Sequence, residues 1–154
     1  MMIRITLLFV LITVSSITSV WVTRNAKVDA LRRMLNSGTL SVMPCCYDGL
    51  TARLVEQAGF KLTFMTGFGT AAVQGVPDSG LLGLGEMVNT GNIVCGSLKY
   101  IPCIGDGDTG YGNEVNMKRT VRQYIQAGFA GIMIEDQVFF LYGYLFSLLK
   151  PIIV

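Results

Sequence analysis

Four short apolar runs separated by amphipathic stretches dominate the centre of the chain. They are Leu40 to Cys46, Leu62 to Thr66, Tyr100 to Gly105 and Gly131 to Ile134. Each is bounded by turn residues and is apolar on both faces, as expected of strands buried in a parallel sheet. After the first run, Asp48 is placed to cap a helix carrying Leu50, Leu54, Val55 and Ala58 on one face, with Gly59 as its stop. After the third, Asn113 opens a helix with Met117, Val121, Tyr124 and Ile125 on one face, ended by Gly128. A weaker helical pattern spans Leu84 to Val94 despite Gly91. Strands alternating with helices predict an α/β fold with a parallel sheet across residues 28–138.

The two ends differ from this centre. Ile5 to Val22 carries no charge, with Arg4 before it and Arg24 and Lys27 after it. Residues 1–27 therefore read as a hydrophobic targeting or anchor segment. The core Ile5 to Val14 has the length of a signal-peptide h-region, while four Ser and Thr between 15 and 19 dilute the rest below spanning quality. A cleaved signal, a membrane anchor through residues 5–22 and a transit peptide all fit, the first two implying the secretory pathway or a membrane. Phe139 to Val154 is an apolar tail with one Lys and no acid, and it follows neither period.

Composition narrows the chemistry. Twelve basic and ten acidic residues leave a formal charge of +2 in 154 residues, without a basic run, which argues against nucleic acid as a partner. There is no histidine, so Ser-His-Asp triads and imidazole metal sites are excluded. Cys45, Cys46, Cys95 and Cys103 form no C-x-x-C pair and read as ordinary reduced, part-buried thiols. Candidate groups collect just past the strands, where α/β folds carry their chemistry: Tyr47-Asp48, Thr66-Gly67-Phe68-Gly69, Asp106 to Gly110 and Glu135-Asp136.

In Gly105-Asp106-Gly107-Asp108-Thr109-Gly110-Tyr111-Gly112, two carboxylates stand at i and i+2 in a loop nearly free of bulk. Such a loop can turn both toward one hard cation, with magnesium the natural candidate, or it can be a glycine turn whose Asp side chains cap backbone amides. Glu135 and Asp136, ending the next strand, favour the metal. An EF-hand is excluded by Gly110, Tyr111 and Met117 at its obligatory positions. Gly67-Phe68-Gly69-Thr70-Ala71-Ala72 fits G-x-G-x-x-A, but the acid at the dinucleotide distance, Glu86, opens a helix. The segment reads better as a loop whose backbone approaches a ligand carboxylate.

These blocks carry a resemblance. Cys46 to Ala52 with Glu56 to Phe60, Thr66 to Gly69, Gly75 to Asp78, Gly105 to Gly112, and Ala127 to Ile132 running into Ile134 to Gln137 resemble, in order and spacing, the isocitrate lyase and phosphoenolpyruvate mutase superfamily, above all its plant members. The resemblance implies a (β/α)8 barrel of the TIM type, of which residues 28–138 are the N-terminal half: a parallel (β/α) half-barrel, truncated from the whole. It implies a magnesium cofactor (Mg2+) and a lyase acting on carbon–carbon bonds of 2-hydroxy or 2-oxo diacids, with a small diacid as substrate. Asp106 matches the direct metal ligand, and Asp78, Asp108 and Glu135 match acids acting through water. Tyr47, Thr66, Gly67 and Phe68 match substrate-binding positions. A chloroplast location goes with the plant resemblance.

After Gln137 the sequence departs from the family. A P-K-x-C-G-H loop is expected there, whose cysteine protonates the enolate carbon; the chain reads Val138-Phe139-Phe140-Leu141-Tyr142, and none of its four cysteines matches. A complete barrel takes about 250 residues. The chain is therefore expected to be a truncated isoform or gene-model product with weak or no turnover. Three functions stay open: a magnesium-dependent lyase, a noncatalytic half-barrel that binds metal, pairs with a second copy or a full-length subunit, or misfolds, and a membrane-anchored structural protein.

Overall fold

The computed structural model describes residues 26–137 and the strand Ile152–Ile153. The targeting or anchor segment at 5–22 and nearly all of the apolar tail lie outside the described residues. Among the described residues no helix is long and apolar enough to cross a membrane.

A helix over 26–36 (α1) leads into β1 (Cys45–Cys46), α2 (Gly49–Gln57), β2 (Thr63–Met65), α3 (Gly67–Val73), α4 (Leu84–Ser97), β3 (Cys103–Asp106), α5 (Glu114–Ala127), β4 (Gly131–Ile134) and β5 (Ile152–Ile153). The sheet order is β1-β2-β3-β4-β5, with the first four strands parallel and in sequential order. This is the parallel α/β architecture that the apolar runs predict. Two features were not foreshadowed: α1, and the antiparallel pairing of β5 with β4.

Strand alternation divides the core between two faces. Met65, Cys103, Ile132 and Ile134 join Val94, Tyr124 and Phe129 beneath the layer of α2, α4 and α5. Their neighbours Phe64, Ile104 and Met133 point the other way and meet Leu31 and Met34 of α1. Crossover helices after β1, β2 and β3 cover the first face, and α1 closes one end of the second. Lys27 fastens α1 by donating from Nζ to the Leu98 carbonyl at 3.0 Å.

Three local expectations change. The run Leu40 to Cys46 yields a strand only at Cys45–Cys46, and Leu40 is 95% exposed. Its neighbour β2 begins at Thr63, level with Pro44, so earlier residues have no strand to pair with. On α2 the buried position is Ala52, while Leu50 and Leu54 face out. The helix turns its small side inward because α4 lies close: a Cβ on Gly49 would stand 2.7 Å from Ser97 Oγ. Finally, Gly67 to Val73 is a helix rather than a loop, capped by Thr66, whose Oγ1 accepts from Gly69 N at 3.4 Å.

The caps otherwise follow the sequence. Asp48 accepts from Thr51 N at 2.7 Å, Asn113 from Val115 N at 3.0 Å and Asn116 N at 3.1 Å, and Gly128 ends α5 at φ 100°. Glu86 accepts from Gly83 N at 3.1 Å, a capping role at the start of α4. That contact accounts for the acid a dinucleotide reading would have assigned to a ribose.

Candidate metal and substrate site

Asp106 is the last residue of β3, and the fold fixes its carboxylate from two directions. Oδ2 accepts from the N–H of Gly67, the first residue of α3, at 3.0 Å, and Oδ1 accepts from Asp108 N at 3.2 Å. A Cβ at Gly67 would lie 3.0 Å from Asp106 Oδ2, so the close approach of α3 to the carboxylate depends on that glycine. The carboxylate that the Gly67 backbone approaches thus belongs to the protein's own Asp106.

The loop after β3 is held by backbone bonds to both neighbours. Gly107 N donates to Met133 O at 2.8 Å, and Glu135 N donates to Asp108 O at 2.7 Å, tying the ends of β3 and β4 together. Gly110 N donates to Gly107 O at 2.8 Å, and Thr120 Oγ1 of α5 donates to Gly110 O at 2.8 Å. Asp108 and Tyr111 take left-handed backbone, φ 43° and 58°. Non-glycine residues rarely do so outside constrained, often functional, loops.

Asp78, Asp106, Asp108 and Glu135 line one cavity of about 370 Å³, together with Thr109, Tyr111 and Gln137. Burial pushes the Asp106 carboxyl above the usual range; the Gly67 N–H works against this, and the charges of Asp108 and Asp78 add to it. Burial likewise raises Glu135, reinforced by Asp106, Asp108, Asp78 and Asp136. Every charge perturbing these two groups is negative, and like charges in one cavity disfavour ionisation unless a cation intervenes. Among the described residues no three acids stand close enough to grip an ion together.

Tyr47, Thr66 and Phe68 surround a second cavity of about 510 Å³, with Cys45 and Gly69 in its wall. Gly67 lies on the other side, beside Asp78 and Asp108. Gly69 makes room for the Tyr47 ring: a Cβ there would meet Tyr47 Cδ1 at 2.8 Å. The four acids and Tyr47, Thr66 and Phe68 therefore line two different cavities.

Two contributors were read only as packing or not singled out. Tyr124 lies beneath β3, stacked on Phe129 with centroids 4.9 Å apart, and its hydroxyl donates to Asp106 O at 2.5 Å. Gly105 permits this, since a Cβ there would stand 2.8 Å from the Tyr124 ring. Thr120, fully buried, braces the acid loop from the same helix. A tyrosine and a threonine on a core-facing stripe are the available signal, because a buried hydroxyl needs a partner.

Residues 31–143 match the family described as phosphoenolpyruvate phosphomutase. The chain is 45% identical over 106 residues to carboxyvinyl-carboxyphosphonate phosphorylmutase, chloroplastic, of Arabidopsis thaliana, covering 68% of this chain and 31% of that protein. It is 43% identical over 109 residues to 2,3-dimethylmalate lyase of Eubacterium barkeri, covering 70% and 37%. The chain thus spans about a third of the length of these relatives. Among solved structures, a phosphonopyruvate hydrolase in complex with oxalate and Mg++ superposes with a TM-score of 0.71 at 38% identity, covering 74% of this chain and 40% of that one. An oxaloacetate acetylhydrolase gives a TM-score of 0.69 at 39% identity, covering 73% and 41%.

Proposed function

This chain belongs to the phosphoenolpyruvate mutase and isocitrate lyase superfamily, and on that premise we propose that its acid cavity holds magnesium and takes a small 2-hydroxy or 2-oxo diacid for carbon–carbon bond cleavage. The observation that carries the reading is the gathering of Asp78, Asp106, Asp108 and Glu135 around one cavity, with only acids among the charges that raise Asp106 and Glu135. An all-oxygen donor set suits a hard cation. The solved relative with oxalate and Mg++ supports the same pairing of ion and small dicarboxylate.

Asp106, held by two backbone N–H groups, would be the direct ligand in this reading, and Asp78, Asp108 and Glu135 would hold the ion through water. When bound, magnesium supplies a Lewis acid for the substrate's carboxylate and 2-oxygen. Tyr47, Thr66 and the exposed Phe68 line the second cavity. These residues bind and orient the part of the diacid away from the ion. Returning a proton to the product carbon is the step the chain is poorly equipped for, since it contains no P-K-x-C-G-H segment. The proposed lyase is therefore impaired. The name of the Arabidopsis relative supports a chloroplast location.

The test is a magnesium chloride titration of the full chain, following thermal unfolding by circular dichroism. A ligand that binds only the folded state raises the midpoint by mass action. We expect a rise that Asp106→Asn abolishes; a flat midpoint through millimolar magnesium overturns the reading.

A further inference from the structure

We infer that Tyr111 is a positioning residue of the acid cavity: its hydroxyl donates to the Asp108 carboxylate and accepts from a water of the bound magnesium. The inference rests on the reading of this cavity as a magnesium site.

Tyr111 lines the cavity beside Asp106, Asp108 and Glu135. Among the described residues its hydroxyl is the one buried side-chain oxygen or nitrogen without a hydrogen-bond partner. Its polar neighbours are the Asp108 carboxylate and the Tyr124 hydroxyl. The Tyr124 proton is already committed to the Asp106 carbonyl, so Tyr124 can offer only a lone pair. Asp108 can only accept when ionised. Either neighbour can accept from the Tyr111 hydroxyl but neither can donate to it, so its lone pairs have no donor among the described side chains.

The backbone at this position points the same way. Tyr111 is held at φ 58° between Gly110 at φ 90° and Gly112 at φ 138°, in a region that disfavours a bulky side chain. Its ring packs on the core beneath α5, which accounts for an aromatic residue. Packing does not account for the hydroxyl, because phenylalanine would fill the same space. A group that donates to the hydroxyl's lone pairs would have to come from the cavity that Tyr111 lines. A water on a divalent cation does so, because its oxygen faces the ion and both hydrogens point outward. A hydroxyl bridging that water to Asp108 would hold carboxylate, water and ion in register, as outer groups do around metal ligands.

Tyr111→Phe in the full chain removes this oxygen alone. Magnesium chloride binding is measured by calorimetry and by the rise in unfolding midpoint, beside wild type and Asp106→Asn. We expect the metal-free midpoint of Tyr111→Phe to stay level or rise, and its magnesium dissociation constant to weaken about tenfold. A lower metal-free midpoint with unchanged magnesium affinity would show a purely structural hydroxyl and overturn the inference. So would full wild-type affinity in Tyr111→Phe while Asp106→Asn binds nothing, an outcome that leaves the magnesium reading standing. If wild type itself gives no response, both fall together.

Discussion

Single atoms decide how Asp106 is held at the acid cavity. Gly67 brings its N–H to Asp106 Oδ2 only because it lacks a Cβ, which would otherwise sit 3.0 Å from that oxygen. Gly67→Ala should cost about 1–3 kcal/mol, the usual range for forcing volume into a packed site, as measured by urea unfolding. The same substitution should weaken the magnesium response, since it displaces the carboxylate proposed as direct ligand. Glu56 shows the opposite electrostatic environment. Its carboxylate accepts from the N–H groups of Lys99, Tyr100 and Ile101 at 2.6–3.1 Å. Partial burial opposes ionisation, but those N–H groups and Lys27 outweigh it and hold the group below its usual value. A carboxyl with a depressed folded pKa contributes stability that is full above its unfolded value and is lost as pH falls through the folded one. Wild type should therefore lose stability below about pH 4.5, the ordinary glutamate range. Glu56→Gln should lose about 1–2 kcal/mol near neutrality and show a flatter acid limb in urea titrations.

At the scale of elements, α5 does more than cover the sheet. Thr120 and Tyr124 face inward one turn apart, and each bonds a carbonyl of the acid segment, Gly110 O and Asp106 O. The helix thereby fixes the height of the loop above the end of β3. Thr120→Val keeps the volume and removes the bond, so it should destabilise by about 1–2 kcal/mol by chemical unfolding, the cost of leaving a buried carbonyl short of its partner. Tyr124→Phe should cost about 1 kcal/mol for the same reason. The effect on magnesium affinity should be greater for Thr120→Val, because Gly110 lies in the loop whereas the Asp106 backbone is still held by the sheet. α2 follows a different rule from the one its apolar residues suggest. Its small face, Gly49 and Ala52, meets α4, which leaves Leu50 and Leu54 outside.

Over the whole molecule, β1 to β4 form a parallel half-barrel whose strand ends carry the proposed site, and the chain spans about a third of its curated relatives. Binding and turnover are separable on this architecture. The proposed metal acids all lie among the described residues, whereas the proposed reading takes its proton donor from a P-K-x-C-G-H loop that Val138 to Tyr142 do not match. A general acid contributes about 100- to 10,000-fold. Turnover of 2-hydroxy diacids with magnesium should therefore fall by at least that factor against a version extended with a complete C-terminal half of the family. Comparable rates from the two would show that the cysteine loop is dispensable.

Period and capping chemistry alone determined the order of β1 to β4 with α2, α4 and α5, and the caps at Asp48, Asn113 and Gly128, because these are local properties of a few consecutive residues. The strand-end loops pointed to Asp106, Asp108 and Glu135 in the same local way, whereas Asp78 came only from the family resemblance. Gly67 to Val73 escaped that reading, since its glycines mask a helix whose first turn is set by Thr66 and by contact with Asp106. The trimming of the first strand to Cys45–Cys46 was equally illegible, because strand length depends on where the neighbouring strand begins. Only the tertiary structure brought Asp78 beside Glu135, 57 positions along the chain, and placed the hydroxyls of Tyr124 and Thr120 beneath the acid loop. Such pairings follow from the register of parallel strands and from helix packing distance. Both are fixed by what an element packs against, and neither is written in its own residues.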